Sequence, residues 1–384
     1  MHPYLDYNST TPVDGRVLEK MLPWFLEQYG NPASLDHRFG WDAAEAVEQA
    51  RSYVAELIEA SAEEIVFTSS ATESINCALR GIAADRRGRI AITAATEHEA
   101  VLETCDLLSA EVRIKNLATD GAGRVAPDGV ALNTRRGETG FVCLMLANNE
   151  IGTIHPLRQY ADVAHDAGAL LVSDLTQAVG KIPIDVRSLG LDLAAFSAHK
   201  LYGPKGVGAL FIRGGEADLR VRPLIVGGRQ ERGFRAGTLN VPGIIGFGEA
   251  CRIAKQEMAD EAERLRRQRD RLETSVFGAL RDVWISGDRE NRLSNTSNCG
   301  FKGVDARTMI RDMHDIAVST RSACSSGSRG PSHVLKAIGL TDEDAYSCIR
   351  FSLGRFTTED EIDYTIEKVV ASAHKLRRNK GLRR

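Results

Sequence analysis

The chain has 384 residues, 43% of them hydrophobic and 26% charged, enough for a sizeable buried core and more than one small module needs. Its 49 basic and 52 acidic side chains leave a formal charge of −3, which argues against a general polyanion or membrane-surface binder, and direct nucleic-acid binding is not expected. No apolar run approaches the ~18 residues of a membrane span, the N-terminus lacks a basic stretch followed by an apolar one, and seven cysteines at least 24 positions apart fit neither a disulfide scaffold nor a zinc module. These features predict a cytoplasmic protein with reduced thiols and no resident metal.

Short apolar runs rich in β-branched residues recur at Ile65–Thr68, Arg89–Thr93, Phe141–Leu146, Ala169–Ser173, Leu193–Phe196 and Ala209–Ile212. Helical patterns alternate with them at Trp41–Glu59, Ser74–Ala83 and Leu157–Ala167, which predicts a mostly parallel α/β sheet. From about Ile244 to Leu280 the pattern becomes one long charged helix that would bridge two units. Its basic run at Arg264–Arg271 reads as a solvated face. A strand at Ser297–Phe301, a Ser/Gly-rich loop at Ser325–Gly330 and helices at Ser332–Ile338 and Glu359–Ala373 predict a smaller α+β unit. The expected division is a large domain at 15–255 and a small one made of 1–14 and 256–384. Residues 375–384 hold six basic side chains and no acid, a solvated or contact-making end.

Ligands in such sheets bind beyond the carboxyl ends of the strands, and there the informative residues cluster. In Leu191-Asp-Leu-Ala-Ala-Phe-Ser-Ala-His-Lys200 an apolar strand runs into Ser197, His199 and Lys200. A lysine there is costly unless neutralised or bonded, and a Schiff base with an aldehyde does both. Alone, the same residues also fit a surface lysine leaving a strand. A second strand ends in Asp174 with Gln177 just beyond, and a lysine with an acid on the ring nitrogen is the general pattern for pyridoxal phosphate. Phe67-Thr-Ser-Ser-Ala-Thr-Glu-Ser74 follows a strand and opens a helix, a place for a phosphate dianion or an ordinary capped helix. Glycine spacing matches neither the dinucleotide fingerprint nor a Walker loop. His98, after another strand, could stack on a flat ring and move protons near neutral pH.

Taken together, Gly30-Asn-Pro-Ala-Ser34, His37-Arg-Phe-Gly40, Ala71-Thr-Glu73, Thr96-Glu-His98, Asn148-Asn-Glu-Ile-Gly152, Ser197-Ala-His-Lys200, Arg235-Ala-Gly-Thr238, Ser322-Ala-Cys324 and Arg350-Phe-Ser352 resemble the cysteine desulfurases of the NifS/IscS group. The resemblance runs from about Tyr4 to Ala373. It implies a fold-type I pyridoxal-phosphate transferase with a seven-stranded sheet. It implies Lys200 as the Schiff-base lysine, Asp174 on the pyridine nitrogen, Gln177 on the phenolic oxygen, and Ala71, Thr72, Ser197 and His199 on the phosphate. His98 would lie against the ring, Asn149 and Arg350 would bind the substrate carboxylate, and Thr238 would reach the phosphate of the other subunit of a homodimer.

Cys324, in a stretch of small residues suited to a mobile loop, is implied as the nucleophile that takes sulfur from L-cysteine as a persulfide and releases L-alanine. The other six cysteines are expected to be buried structural thiols. Arg321 stands where the family pattern has glycine, Ser70 replaces another glycine, and Leu175-Thr176 replace smaller residues. The chain stops soon after Lys375, where IscS-type relatives continue into a tail that docks an iron–sulfur scaffold. The sulfur acceptor is therefore expected to be such a scaffold, to which Cys324 would lend at most a transient shared ligand, or a dedicated tRNA- or DNA-thiolation partner. Selenocysteine lyase activity, an aminotransferase, and an idle adaptor on the same fold are the competing readings.

Overall fold

The computed structural model describes residues 2–215, 221–320 and 330–381. Seven strands form one sheet: β1 (Ile65–Thr68), β2 (Ile90–Ala94), β3 (Arg113–Leu117), β4 (Thr139–Cys143), β5 (Leu170–Asp174), β6 (Leu193–Ser197) and β7 (Gly208–Ile212). Their order across the sheet is β1-β7-β6-β5-β4-β2-β3. β7 runs antiparallel to both neighbours and the other pairs are parallel. β1, β2, β4, β5 and β6 thus point the same way, and their carboxyl ends line one edge.

Helices cover both faces, as a parallel sheet requires. The period of two along each strand sorts the side chains. Ile65, Phe67, Phe196 and Phe211 join one core with α1 (Gly15–Met21), α3 (Arg38–Leu57) and α7 (Leu157–Asp166), while Val66, Phe141, Leu193 and Leu210 join the other with α4 (Ala71–Ala83) and α5 (Glu99–Leu108). The short α2 (Pro23–Leu26) and α6 (Pro127–Asn133) both open on proline, whose fixed φ suits a first helical turn. A 39-residue helix, α8 (Val241–Ala279), is about 58 Å long and serves two cores. Ile244, Phe247 and Ile253 pack under the large sheet, and Leu265, Leu272 and Val276 pack on a second, three-stranded antiparallel sheet. That sheet is β8 (Val283–Ile285), β9 (Thr296–Phe301) and β10 (Cys348–Ser352), ordered β10-β9-β8.

The N-terminal segment ties the two sheets together. Leu5 is buried in the core of the smaller sheet, Asp6 bridges Ser352, and the Thr11 amide donates to the His199 carbonyl beside the larger sheet. The Arg264–Arg271 run is occupied by the chain itself. Arg266 and Arg267 pair with Glu263, Arg271 with Glu359 and Asp363, and the Arg264 guanidinium donates to the carbonyls of Arg355 and Thr357. The C-terminal helix runs past its expected end, over Glu359–Gly381. Lys375 pairs with Asp312, and the Arg377 guanidinium donates to the carbonyls of Arg281, Asp282 and Lys302. The start of the basic end is therefore anchored rather than frayed. Among the described residues no helix is long and apolar enough to cross a membrane.

Candidate active site

The carboxyl edge of the large sheet opens into a cavity of about 140 Å³ whose walls include Ala71, Thr72, His98, Asn149, Asp174, Gln177, Ser197, His199, Lys200 and Arg350. Ten of the twelve residues expected from the sequence thus share one space. Thr238 is exposed and lies away from it. Cys324, with Arg321, falls outside the described residues.

Each strand end supplies one part. β6 ends at Ser197 and continues into a single 3₁₀ turn, Ala198–Lys200, which lifts Lys200 off the sheet edge. Its ammonium donates to the carbonyls of Asn8 and Ser9, 2.6 Å each. Asp174 closes β5, buried, and its Oδ1 accepts the Thr176 amide at 2.8 Å. Beyond β1, Ser70 caps α4 by accepting the Glu73 amide at 3.2 Å, so the first-turn amides of Ala71 and Thr72 face the cavity with the positive end of a 13-residue helix behind them. His98 caps α5, its Nδ1 accepting the Ala100 amide at 3.1 Å, which leaves Nε2 as the nitrogen able to carry a proton.

Electrostatics follow from burial. His199 Nδ1 lies 3.1 Å from the Thr10 hydroxyl, and burial, then the nearby Lys200 and Lys205 ammoniums, push its imidazole down to about 3. It therefore meets a ligand neutral at physiological pH. Glu97, next to His98, is fully buried. Its Oε1 accepts the Met145 amide, its Oε2 has no partner, and burial holds its carboxyl well above the usual range. A neutral Glu97 adds no negative charge beside Asp174.

Arg350, 1% exposed and in the middle of β10, donates to the Asn149 carbonyl at 2.9 Å, the Asp6 carboxylate at 2.7 Å and the Ser9 hydroxyl at 2.9 Å. Its Nε is buried without a partner, as is the Thr176 hydroxyl on the same cavity. Unspent donors of this kind suit an incoming carboxylate or a flat polar ring.

The residues also fit a pyridine aldehyde phosphate sterically. A Cβ on Gly208 would meet the Ser70 carbonyl carbon at 2.6 Å and the Phe196 oxygen at 2.8 Å. Only glycine lets β7 lie this close beneath the loop that opens α4. The donor set matches too: helix amides with Ser197 and His199 at one end, an acid at Asp174, an amine at Lys200.

Several participants carry no motif. The N-terminal segment brings Asp6, Asn8 and Ser9 into the site, and Lys181, four residues after Gln177, donates to the Gln177 Oε1 at 2.6 Å. The i, i+4 spacing of Gln177 and Lys181 is the one signal the sequence offers for it.

The six described cysteines, Cys77, Cys105, Cys143, Cys251, Cys299 and Cys348, are all buried and free. Burial pushes the thiols of Cys77, Cys105, Cys299 and Cys348 up to about 12 and holds those of Cys143 and Cys251 well above the ordinary thiol range. They are inert structural thiols, as the sequence predicts.

The sequence matches the aminotransferase class-V family over residues 3–365, and the chain belongs to that family of pyridoxal-phosphate-dependent enzymes. Within it, the chain is 48% identical over 379 residues to cysteine desulfurase IscS of Serratia proteamaculans (strain 568), covering 97% of this chain and 93% of that one. Among solved structures, a NifS-like protein superposes with a TM-score of 0.89 at 38% identity, covering 97% of this chain and 99% of the other. SspA in complex with cysteine superposes with a TM-score of 0.81 at 33% identity, covering 93% and 100%.

Proposed function

We propose that the protein is a cysteine desulfurase that holds pyridoxal phosphate on Lys200, converts L-cysteine to L-alanine, and carries the sulfur as a persulfide on Cys324 to an acceptor protein. The observation that carries this reading is the convergence of Lys200, Asp174, His98 and Arg350, on or just beyond four separate strands, on one cavity. Bound there, the cofactor supplies an electron sink for the substrate's α-carbon.

The chain's own residues divide the remaining work. Asp174 is the acid for the ring nitrogen and Gln177 the amide for the phenolic oxygen. Ala71, Thr72, Ser197 and His199 hold the phosphate through backbone amides, a hydroxyl and a neutral imidazole. Arg350 binds the substrate carboxylate through its guanidinium, with Asn149 beside it. The Lys200 amine, when not bonded to the cofactor, would be the base that takes the α-proton. His98 Nε2 manages the proton of the substrate thiol, and the Cys324 thiolate attacks the substrate sulfur.

The reading includes a second copy of the chain. Phe25, Leu26, Tyr29, Leu35 and Trp41 are large apolar side chains left exposed, more than a monomer ordinarily shows in one stretch. Asn31 to Leu35 share a cleft with Arg229–Arg232 and Leu239, so the apolar stretch adjoins the exposed Thr238. We read this face as the homodimer interface, with Thr238 completing the partner's phosphate site. Residues 15–255 form the cofactor-binding domain, and 1–14 with 256–384 form the domain that bears Cys324. The acceptor in this reading is an iron–sulfur scaffold or a thiolation enzyme, and the free thiols of the six described cysteines are compatible with a reducing compartment such as the cytoplasm.

Two variants test the reading. Lys200→Ala should lose the visible absorbance of the lysine-bound cofactor, and Cys324→Ala should keep that absorbance while losing alanine release from cysteine under reductant. Retained absorbance in the first, or sustained turnover in the second, overturns the corresponding assignment.

A further inference from the structure

Lys181 lies outside every motif, yet it is wired into the centre of the site. Its ammonium donates to the Gln177 Oε1 at 2.6 Å and to the Asn8 Oδ1 at 3.0 Å. An ammonium has three donors and no acceptor, so both of its partners must be oxygens. That fixes which way two ambiguous side-chain amides point. Gln177 must direct its Nε2 the other way, where it donates to the Asn8 carbonyl at 2.9 Å, the same oxygen that accepts the Lys200 ammonium at 2.6 Å. Asn8 is fixed independently at its far end. Its Oδ1 also accepts from Asn295 at 3.1 Å, and its Nδ2 donates to the Thr296 hydroxyl at 2.9 Å and the Asn149 carbonyl at 3.2 Å. A chain of fixed donors therefore runs from β9 through Asn8 and Lys181 to Gln177.

We propose that Lys181 is a positioning residue for the reaction: it holds the Gln177 Oε1, so that the amide keeps its N–H side for the cofactor's phenolic oxygen, and while protonated it sets a positive charge beside Lys200. This rests on the roles given above to Lys200 and Gln177. Without Lys181 the Gln177 Oε1 loses its cationic partner, so the amide is held only by its Nε2 bond to the Asn8 carbonyl and donates less firmly to a phenolate. The charge acts in the same direction. Lys181 is surrounded by Lys200 after β6, Arg350 on β10 and Glu261 on α8, with the phenols of Tyr7 and Tyr202 lining the same narrow cleft. Glu261 is already engaged by Arg355 and Tyr202. Burial first, then Lys200 and Arg350, push the Lys181 ammonium down to about 7. A cation crowded by cations disfavours a further proton on the nitrogen at position 200, the device by which enzymes keep a lysine reactive.

The experiment is a spectrophotometric pH titration of the cofactor-loaded protein, comparing wild type with Lys181→Met, Lys181→Gln and Lys181→Arg. Loss of the charge and of the amide lock both strengthen proton binding at the lysine–cofactor linkage. Lys181→Met should therefore move the titration of the visible band upward by about one pH unit, a tenfold change in proton affinity. Lys181→Gln, which keeps a donor but not the charge, should move it part of the way, and Lys181→Arg should stay with wild type. Melting curves accompany each sample. Removing a buried, crowded cation should leave the fold intact, and unfolding of both neutral variants at working temperature would assign Lys181 a merely structural role and overturn the proposal. A neutral variant titrating with wild type would overturn it as well, while leaving the Lys200 assignment standing. A wild-type protein that takes up no visible band removes the Lys200 assignment itself, and this proposal with it.

Discussion

Gly208→Ala offers the most direct quantitative check on the cofactor cradle. Gly208 opens β7, paired with Thr68 of β1 on one side and Ser197 of β6 on the other, so it sits under both halves of the phosphate site. An added Cβ would stand 2.6 Å from the Ser70 carbonyl carbon, 2.8 Å from the Phe196 oxygen and 2.9 Å from the Ser70 Cα. All three contacts are backbone and cannot swing aside. Ordinary contact begins at 3.4 Å, so the Ser70 loop must retreat by about 0.8 Å, and the Ala71 and Thr72 amides must move with it. Misplacement of about 1 Å in a positioned site costs on the order of 100-fold, or ~2.8 kcal/mol at ~1.4 kcal/mol per decade. We therefore expect Gly208→Ala to weaken pyridoxal phosphate binding 10- to 100-fold, measured by equilibrium dialysis against the visible band. The cofactor-free protein should still melt cooperatively, because helix α4 and its core remain. Cofactor affinity within threefold of wild type would refute the geometry of the cradle.

Two further outcomes follow from burial. His199 is held down to about 3 in the fold but titrates near 6.5 when unfolded, so the unfolded chain takes up a proton that the folded chain refuses. Its stabilising contribution is complete above about pH 6.5 and drains away as pH falls toward 3, at up to ~1.4 kcal/mol per pH unit. His199→Gln should accordingly lose less melting temperature than wild type between pH 7 and pH 5, and equal losses would contradict the assignment. The raised thiols of the six buried cysteines should leave native Cys324→Ala protein unreactive toward an aromatic disulfide reagent over minutes, with all six reacting in denaturant. A fast thiol in the native variant would show that one of the six is exposed.

The strands that carry chemistry were legible because a buried parallel strand must be continuously apolar. β1, β5, β6 and β7 lie within one residue of their expected limits for that reason. β3 was missed, since Arg113, Lys115 and Asn116 are exposed on an edge strand, where apolar character is not required. β10 was missed for the opposite cause: Arg350 interrupts an otherwise apolar stretch, and the Asp6 carboxylate, 344 positions away, with the Ser9 hydroxyl and the Asn149 carbonyl, makes a buried arginine tolerable there. α3 begins at Arg38, earlier than its apolar pattern, because His37 caps it by accepting the Gly40 amide. Of the site, the residues at strand ends could be read from local pattern plus resemblance. Asn8 and Ser9 could not, since their partners are brought together by the path of the N-terminal segment, which no local pattern encodes, and Lys181 carried only its i, i+4 spacing from Gln177.

That path also constrains the order in which the protein can be made. Leu5, Asp6 and Asn8 leave the ribosome more than 300 residues before their β-bridge and hydrogen-bond partners Ala317, Arg350 and Ser352. The seven-stranded half can therefore collapse during synthesis while the N-terminal segment, whose Asn8 and Ser9 carbonyls hold Lys200 and Gln177, still lacks its partners on β10. Contacts this distant in sequence are slow to close. A nascent chain would thus pass its later elongation with a formed sheet and an unfinished reaction centre, which is assembled only when these two distant segments meet.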